Sequence, residues 1–173
     1  MLYRFDGKEP VIGKETYVSE QAIIIGDVKI GNNCYVGHGA ILRGDYGTII
    51  IGNRTSIEEG VVIHAPPDDA CHIGSNVIIG HGAIIHAKNI SDSVLIGMGA
   101  VISLGVEIES GVFIAEGAVV RRNYKIDKNT IVAGNPAKKI REVSDKDRQY
   151  LEYSINLYVE LAKKYLKSRM EMV

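Results

Sequence analysis

Residues 96–119 read IGMGAV-ISLGVE-IESGVF-IAEGAV, which is four hexapeptides in succession. Each hexapeptide begins with isoleucine and carries glycine at its fourth position and alanine or valine at its fifth. A six-residue period matches neither the period of a helix nor that of a simple strand. Each unit therefore predicts one short strand and a corner, with the isoleucine pointing inward, the small residue packed behind it and glycine allowing a tight backbone.

The same period extends over most of the chain. Aliphatic residues recur at the first position of each unit, at Ile12, Val18, Ile24, Ile30, Val36, Leu42, Ile51, Ile57, Ile63, Ile73, Ile79, Ile85, Ile90, Ile96, Ile102, Ile108, Ile114, Val120, Ile126 and Val132. Two insertions and the loss of one residue interrupt the series without ending it. A period held this long predicts a solenoid.

The repeat resembles that of the left-handed parallel β-helix family, in which three units, roughly 18 residues, make one triangular coil. The left hand is implied by this resemblance, because crossovers between parallel strands are usually right-handed. The predicted fold is therefore mainly β. It comprises a left-handed parallel β-helix of hexapeptide repeats over residues 1–140 and a C-terminal α-helix over residues 141–173 packed on it.

The C-terminal helix is predicted from its start and its apolar spacing. The repeat ends near Gly134-Asn135-Pro136-Ala137, a turn that leads the chain off the solenoid. Ser144 can cap a helix, and Asp145 and Asp147 suit its first turn. Its apolar stripe comprises Leu151, Ile155, Leu157 or Tyr158, Ala162, and Tyr165 or Leu166.

Composition narrows the classes of partner. The 173 residues suit one domain, and 20 basic against 21 acidic residues give a net charge of -1, which does not attract nucleic acid or an anionic membrane. The chain start lacks the apolar run of a signal peptide, and no stretch is long and apolar enough to span a bilayer. Cys34 and Cys71 form neither a disulfide framework nor a closely spaced metal pair. We expect a soluble cytoplasmic protein without nucleic-acid or membrane partners.

The six-residue register brings two histidines together. On the third face of each coil, the residues that follow the inward aliphatic ones are Ile25, Arg43, His64, His86, Ser103 and Arg121. His64 should therefore lie directly beneath His86, at the strand spacing of about 4.8 Å. Two such imidazoles can converge on one metal ion, although a polar ladder without metal fits the stacking equally well.

His81 belongs to the preceding face. Roughly 15 Å of extended chain separates it from His86, so it should not reach the same metal ion within one chain. If subunits pack around a closed symmetry axis, His81 of one chain can complete the histidine pair of its neighbour. His38 and His72 have weaker claims, and we treat both as solvated or as supporting residues.

The sequence also resembles the gamma-class carbonic anhydrases and related hexapeptide proteins named ferripyochelin-binding or carnitine-operon proteins. The resemblance covers nearly the whole chain and is most specific at Arg43-Gly44-Asp45, Glu59-Gly60-Val61-Val62-Ile63-His64, His81-Gly82-Ala83-Ile84-Ile85-His86 and the Gly134 to Ala137 exit. It implies a homotrimer that binds zinc, or iron or cobalt, at each subunit interface. The implied ligands are His64 and His86 of one subunit and His81 of the next.

Further site residues are implied by the same resemblance. Arg43 and Asp45 would form an ion pair between subunits beside the metal. The family usually has Asn and Gln where this chain has Ser56 and Glu58, and Asp where it has Glu59. Glu58 and Glu59 are therefore candidate pocket residues that depart from the pattern, and Asn156 on the helix matches a pocket asparagine of the family.

The implied function is reversible hydration of carbon dioxide to bicarbonate, in which a metal-activated hydroxide attacks the carbon. A hexapeptide acyltransferase is the first alternative, since such enzymes use a histidine as general base without metal. An acyl-CoA thioesterase and a non-catalytic metal-binding assembly protein are further alternatives. We expect Glu58 to restrain hydration, because an ionised carboxylate accepts but does not donate a hydrogen bond.

Overall fold

The computed structural model describes residues 1–168, which form a left-handed parallel β-helix of about seven turns and one C-terminal helix. The elements are β1 (Leu2–Tyr3), β2 (Val11–Ile12), β3 (Tyr17–Val18), β4 (Ile23–Ile30), β5 (Tyr35–Val36), β6 (Ile41–Ile51), β7 (Ser56–Ile57), β8 (Val62–His64), β9 (Ala70–Ile73), β10 (Ile78–Ile79), β11 (Ile84–Ile85), β12 (Asn89–Ile90), β13 (Leu95–Ile96), β14 (Val101–Ile102), β15 (Glu107–Ile108), β16 (Phe113–Ile114), β17 (Val119–Val120), β18 (Lys125–Ile126), β19 (Thr130–Ala133), β20 (Lys138–Glu142) and α1 (Asp145–Lys167). The predicted fold class is confirmed.

The strands stack into three faces. The second face contains β3, β5, β7, β10, β13, β16 and β19. The third face contains β8, β11, β14, β17 and the first halves of β4 and β6, whose second halves turn a corner onto the first face with β2, β9, β12, β15 and β18. Ile63, Ile85 and Ile102 are register partners and are almost completely buried, so the predicted inward column is confirmed.

The outward side chains differ from face to face. Those of the first face include the polar residues Lys29, His72, Asn89, Glu107 and Lys125. Those of the second face include Tyr17, Tyr35, Ile78, Phe113 and Ile131, which pack against α1. Those of the third face form an aliphatic stripe of Ile23, Ile41, Val62, Ile84, Val101 and Val119. The stripe remains partly accessible, with Ile84 48% exposed.

The C-terminal helix starts where its cap predicts. The hydroxyl of Ser144 accepts a hydrogen bond from the backbone of Asp147, whose carboxylate accepts one from the Ser144 backbone in return. Of the predicted apolar stripe, Leu151, Ile155 and Ala162 are buried.

Tyr158 and Tyr165 pack on the second face, whereas Leu157 and Leu166 are exposed. The two tyrosines, and not the two leucines, therefore belong to the apolar stripe of the helix. Residues 169–173 of the predicted helical segment lie outside the described residues. The 134–137 turn leads to β20, which pairs antiparallel with β19 before the helix begins. In the part of the chain described here, no helix is both long and apolar enough to cross a membrane.

We predict that Ile114→Ala lowers the free energy of unfolding by about 2–5 kcal/mol, because Ile114 is fully buried in the solenoid core. Urea unfolding measures the change. Ile140→Ala is the matched control, since Ile140 is 60% exposed and its truncation should cost at most about 0.5 kcal/mol. Equal losses in the two variants would contradict the assigned register.

Candidate metal centre

His64 and His86 lie side by side on the third face. Both follow an inward isoleucine, and the pairing of β8 with β11 stacks the two residues in adjacent coils. His64 Nδ1 and His86 Nε2 are 2.9 Å apart, and the ring centroids are separated by 4.8 Å. The stacking predicted from the six-residue period is therefore present.

The surroundings of this pair favour the neutral form of both rings. Burial lowers the pKa of His64, and the charges of Arg43 and His86 lower it further. The pKa of His86 is lowered by burial and then by the charges of Arg43 and Arg122. His64 Nε2 is buried and has no hydrogen-bond partner among residues 1–168. Neutral imidazoles are the form that binds a metal ion, so the chemistry of this pair fits the implied ligand role.

Arg43 and Asp45 flank the pair from the coil below. The structure joins them within one chain, where Arg43 Nη1 donates to Asp45 Oδ2 at 2.7 Å. Partial burial opposes ionisation of Asp45, but the hydrogen bond and charge of Arg43 hold the pKa of its carboxyl below the usual range. The other carboxylate oxygen lies 3.7 Å from His64 Nε2. An ion pair between subunits, as the resemblance implies, stays a prediction.

His81 lies on the second face, held between two carboxylates. Its Nε2 is 3.1 Å from Glu58 Oε2 and its Nδ1 is 2.7 Å from Glu59 Oε2. The backbone N–H of His81 also donates to Glu58 Oε2 at 3.1 Å. The ring is nevertheless 47% exposed, so one side of it is open towards solvent. Glu59 orients the ring through Nδ1, while Glu58 contacts Nε2.

The two glutamates beside His81 differ in their ionisation. Glu58 is only 5% exposed, and burial raises the pKa of its carboxyl despite hydrogen bonds from Tyr158 and the His81 backbone. Burial also acts on Glu59, but the hydrogen bond from Tyr35 helps to hold its pKa below the usual value. The Tyr35 hydroxyl donates to Glu59 Oε1 at 2.6 Å. Glu59 is thus the more readily ionised of the two carboxyls, and Glu58 the more readily protonated.

A cavity of about 230 Å³ opens beside His81 and Glu58. Tyr150, Ser154 and Tyr158 of α1 line its outer side. The helix therefore contributes to the surroundings of His81 as well as to the stability of the solenoid.

The three predicted ligands divide into a pair and a single residue. Among residues 1–168, no group of three or more His, Cys, Asp or Glu side chains converges so that it could hold a metal ion. His64 and His86 contact each other, whereas His81 contacts Glu58 and Glu59. A three-histidine site therefore requires a second copy of the chain, and that assignment stays a prediction.

Other candidates take different positions. Asn156 accepts a hydrogen bond from Arg54 and donates one to Glu152, so the structure does not bring it to the histidines of its own chain. Ser56 is buried, and its hydroxyl finds no hydrogen-bond partner among the described residues. His72 is exposed on the first face, apart from the pair.

Sequence reasoning missed two residues near His81, Tyr35 and Tyr158, which contact the two glutamates. His38, which the sequence suggested as a solvated or supporting residue, lies with its Nδ1 3.7 Å from Glu59 Oε1. The column that stacks His38 beneath Glu59 follows from the period. The contact of Tyr158 depends on how α1 docks, which the period does not determine.

Comparison with known proteins identifies the family. Residues 9–44 match the family described as bacterial transferase hexapeptide (six repeats). The chain is 34% identical over 165 residues to the carbonic anhydrase of Geobacillus kaustophilus, covering 95% of this chain and 91% of that protein. The chain belongs to the gamma-class carbonic anhydrase family. It is also 35% identical to the carnitine operon protein CaiE of Escherichia coli K12, over 92% of this chain and 81% of that one.

Relatives within and around this family are of different lengths. The gamma carbonic anhydrase 2 of Arabidopsis thaliana mitochondria is 34% identical over 90% of this chain, but the chain spans only 58% of the length of that relative. Among solved structures, a hexapeptide transferase family protein from Anaplasma phagocytophilum superposes with a TM-score of 0.90 at 31% identity. The superposition covers 95% of this chain and 98% of that protein. Membership of the gamma-class family therefore leaves the activity of this chain to be argued from its site.

We predict that, in the metal-free protein, His64 and His86 both titrate with a pKa below the ordinary value of about 6.5. Because the folded-state values are lowered, the unfolded chain binds protons more readily. The resulting stability is fully present above about pH 6.5 and is lost as the pH falls through the folded-state values. Histidine titration by NMR and urea unfolding at several pH values measure both effects. A ring of this pair that titrates above pH 6.5 would contradict the prediction.

Proposed function

We propose that this protein is a gamma-type carbonic anhydrase, working as a homotrimer with a metal ion at each subunit interface. His64 and His86 of one subunit and His81 of the next would be the ligands. The observation that carries the proposal is the His64–His86 pair, with its two neutral rings and the unpartnered, buried Nε2 of His64. The substrate is carbon dioxide and the product is bicarbonate.

Two features support the second copy. His81 is half exposed and lies apart from the pair, so another chain is needed to complete three ligands. The aliphatic stripe of the third face is left without a covering helix, since α1 packs along the second face. Partly exposed aliphatic stripes of this kind are typical of interfaces. Three copies around a closed axis would cover every stripe.

Zinc fits three neutral imidazoles, and iron or cobalt is an alternative with the same ligands. A divalent ion bound there would supply a Lewis acid that lowers the pKa of a bound water to about 7. The residues of the chain prepare that site. Arg43 disfavours protonation of both paired rings, and Asp45 holds the Arg43 guanidinium beside them. Glu59 fixes the His81 ring through Nδ1, so that Nε2, which lies 3.1 Å from Glu58 Oε2, would be the ligand atom.

Acyl transfer is the second candidate, and one observation favours it. His81 with Glu59 at 2.7 Å has the geometry of a general base oriented by a carboxylate, which acyltransferases use without metal. One solved relative is named as a hexapeptide transferase family protein, which is consistent with a transfer reaction. Turnover of acetyl-CoA or another acyl-CoA by metal-free protein would favour acyl transfer. Turnover that occurs only when metal is bound would favour a thioesterase. Metal binding without any turnover would favour an assembly protein.

We also propose that the protein acts in the cytoplasm. Cys34 and Cys71 are both free and buried, which suits a reducing compartment.

We predict that metal-reconstituted protein hydrates carbon dioxide, and that the sites require two subunits. His81→Ala, and His64→Ala combined with His86→Ala, should each abolish tight metal binding and hydration. When equal amounts of the two variants are dissociated and reassembled, most trimers are mixed, and each mixed trimer has one intact site. Metal content and activity should therefore return to about one quarter of the native values.

Elemental analysis and stopped-flow hydration assays measure these quantities. His72→Ala is the matched control, because His72 is an exposed histidine of the first face and its loss should change neither quantity. Mixed trimers that regain neither metal nor activity would overturn the intersubunit site. Native protein that takes up metal and does not hydrate carbon dioxide would overturn the activity alone.

We predict that Glu58→Gln increases hydration at pH 7 and shifts the pH–rate profile to lower pH. When ionised, the Glu58 carboxylate beside His81 adds negative charge that opposes loss of a proton from water at the site, and it cannot donate a hydrogen bond. Hydration is measured against pH at matched metal content, with Glu107→Gln on the first face as control. A Glu58→Gln variant that is equally fast or slower would instead assign Glu58 to proton transfer.

A further inference from the structure

Two columns of outward side chains border the third face, one at its corner with the second face and the other at its corner with the first face. Backbone hydrogen bonds from Gly82, Gly99 and Gly117 to the coil below stack one column, Glu59, His81, Met98 and Glu116. Strand pairing stacks the other column, Arg43, His64, His86, Ser103 and Arg121, with Arg122 next along the chain. Each coil contributes one residue to each column, so every residue of one column has a counterpart at its own level in the other.

The proposed metal site fixes how these levels meet in the trimer. His81 and His86 belong to the same coil, and His81 must meet the partner's His86. A rotation about an axis parallel to the solenoid leaves all levels unchanged. The same rotation therefore brings Met98 level with the partner's Ser103 and Glu116 level with the partner's Arg121. This second meeting point lies two coils from the histidines, about 10 Å away.

The charges at that level are complementary and unpaired. Arg121 and Arg122 are exposed, and neither forms an ion pair with a carboxylate among residues 1–168. Glu116 is exposed as well and has no cationic partner in the same range. A cavity of about 530 Å³ lined by Ser103, Arg121, Arg122 and Tyr124 opens beside the two guanidinium groups. Adjacent like charges repel, so a carboxylate from outside the chain would stabilise them.

We propose that Glu116 forms an ion pair with the partner's Arg121 and Arg122, and that this pair selects the level at which subunits meet. The proposal rests on the intersubunit metal site. A slip of one coil, about 4.8 Å, would place Glu116 opposite the partner's Ser103 and would move His81 away from the partner's His86. The aliphatic stripe alone allows such a slip, because aliphatic residues repeat at every level. Complementary charges at one level act against the alternative registers.

Charge reversal tests this pairing. The variants are Glu116→Arg, Arg121→Glu with Arg122→Glu, and the combination of all three changes. Sedimentation velocity at low salt measures the trimer dissociation constant, and elemental analysis measures metal content after zinc addition. We expect each reversal alone to raise the dissociation constant at least roughly tenfold and to lower metal content, because like charges then face each other at every interface. The combined variant should return towards the native values.

Glu107→Arg is the matched control, since Glu107 is an exposed glutamate of the first face and its reversal should leave assembly unchanged. Raising the salt concentration should reduce the difference between native and reversed proteins. If Glu116→Arg assembles like the native protein, or if the combined variant fails to recover, the pairing is overturned and the arginines serve another role, such as binding a small anion. Native trimers that bind no zinc would overturn the metal site while leaving the assembly result interpretable.

Discussion

Backbone hydrogen bonding between successive coils is the constraint on which the rest of this structure depends. Each strand contributes only a few bonds, but every coil repeats them at one strand spacing above the last. This stacking converts a linear six-residue period into vertical columns of identical positions. The buried isoleucine column, the stacked histidines and the aliphatic stripe are all products of the same register.

The parts of the site that follow from columns could be predicted from the sequence, and the parts that depend on docking could not. The contact of His64 with His86 could be predicted by counting the hexapeptide units around the three faces. Asn156 was different, because its position depends on the rotation of α1 about its axis, and its amide meets Arg54 and Glu152. The sequence placed Glu58 and Glu59 in the pocket with His81, but their contacts with the two ring nitrogens depend on side-chain rotamers and on the burial that α1 provides.

Family membership and chemistry bear on different questions here. The repeat and the relatives establish the gamma-class architecture, which other hexapeptide proteins share with different activities. Glu58 is the residue that departs most from the pattern expected from the resemblance, because its buried carboxyl stands where a neutral amide was expected and contacts His81 Nε2.

The three faces also limit how the gene can change in length. Losing one hexapeptide would move every later unit to the next face, so that aliphatic outward residues would meet solvent and polar ones would meet the helix. Only the loss or gain of a whole coil preserves the assignment. The irregular connections, Leu42 to Ile51, Ile63 to Ile73 and Ile85 to Ile90, all cross the same corner from the third face to the first. Length variation is therefore tolerated at one edge of the prism, immediately after Arg43, His64 and His86, where loops can vary without altering the count of units.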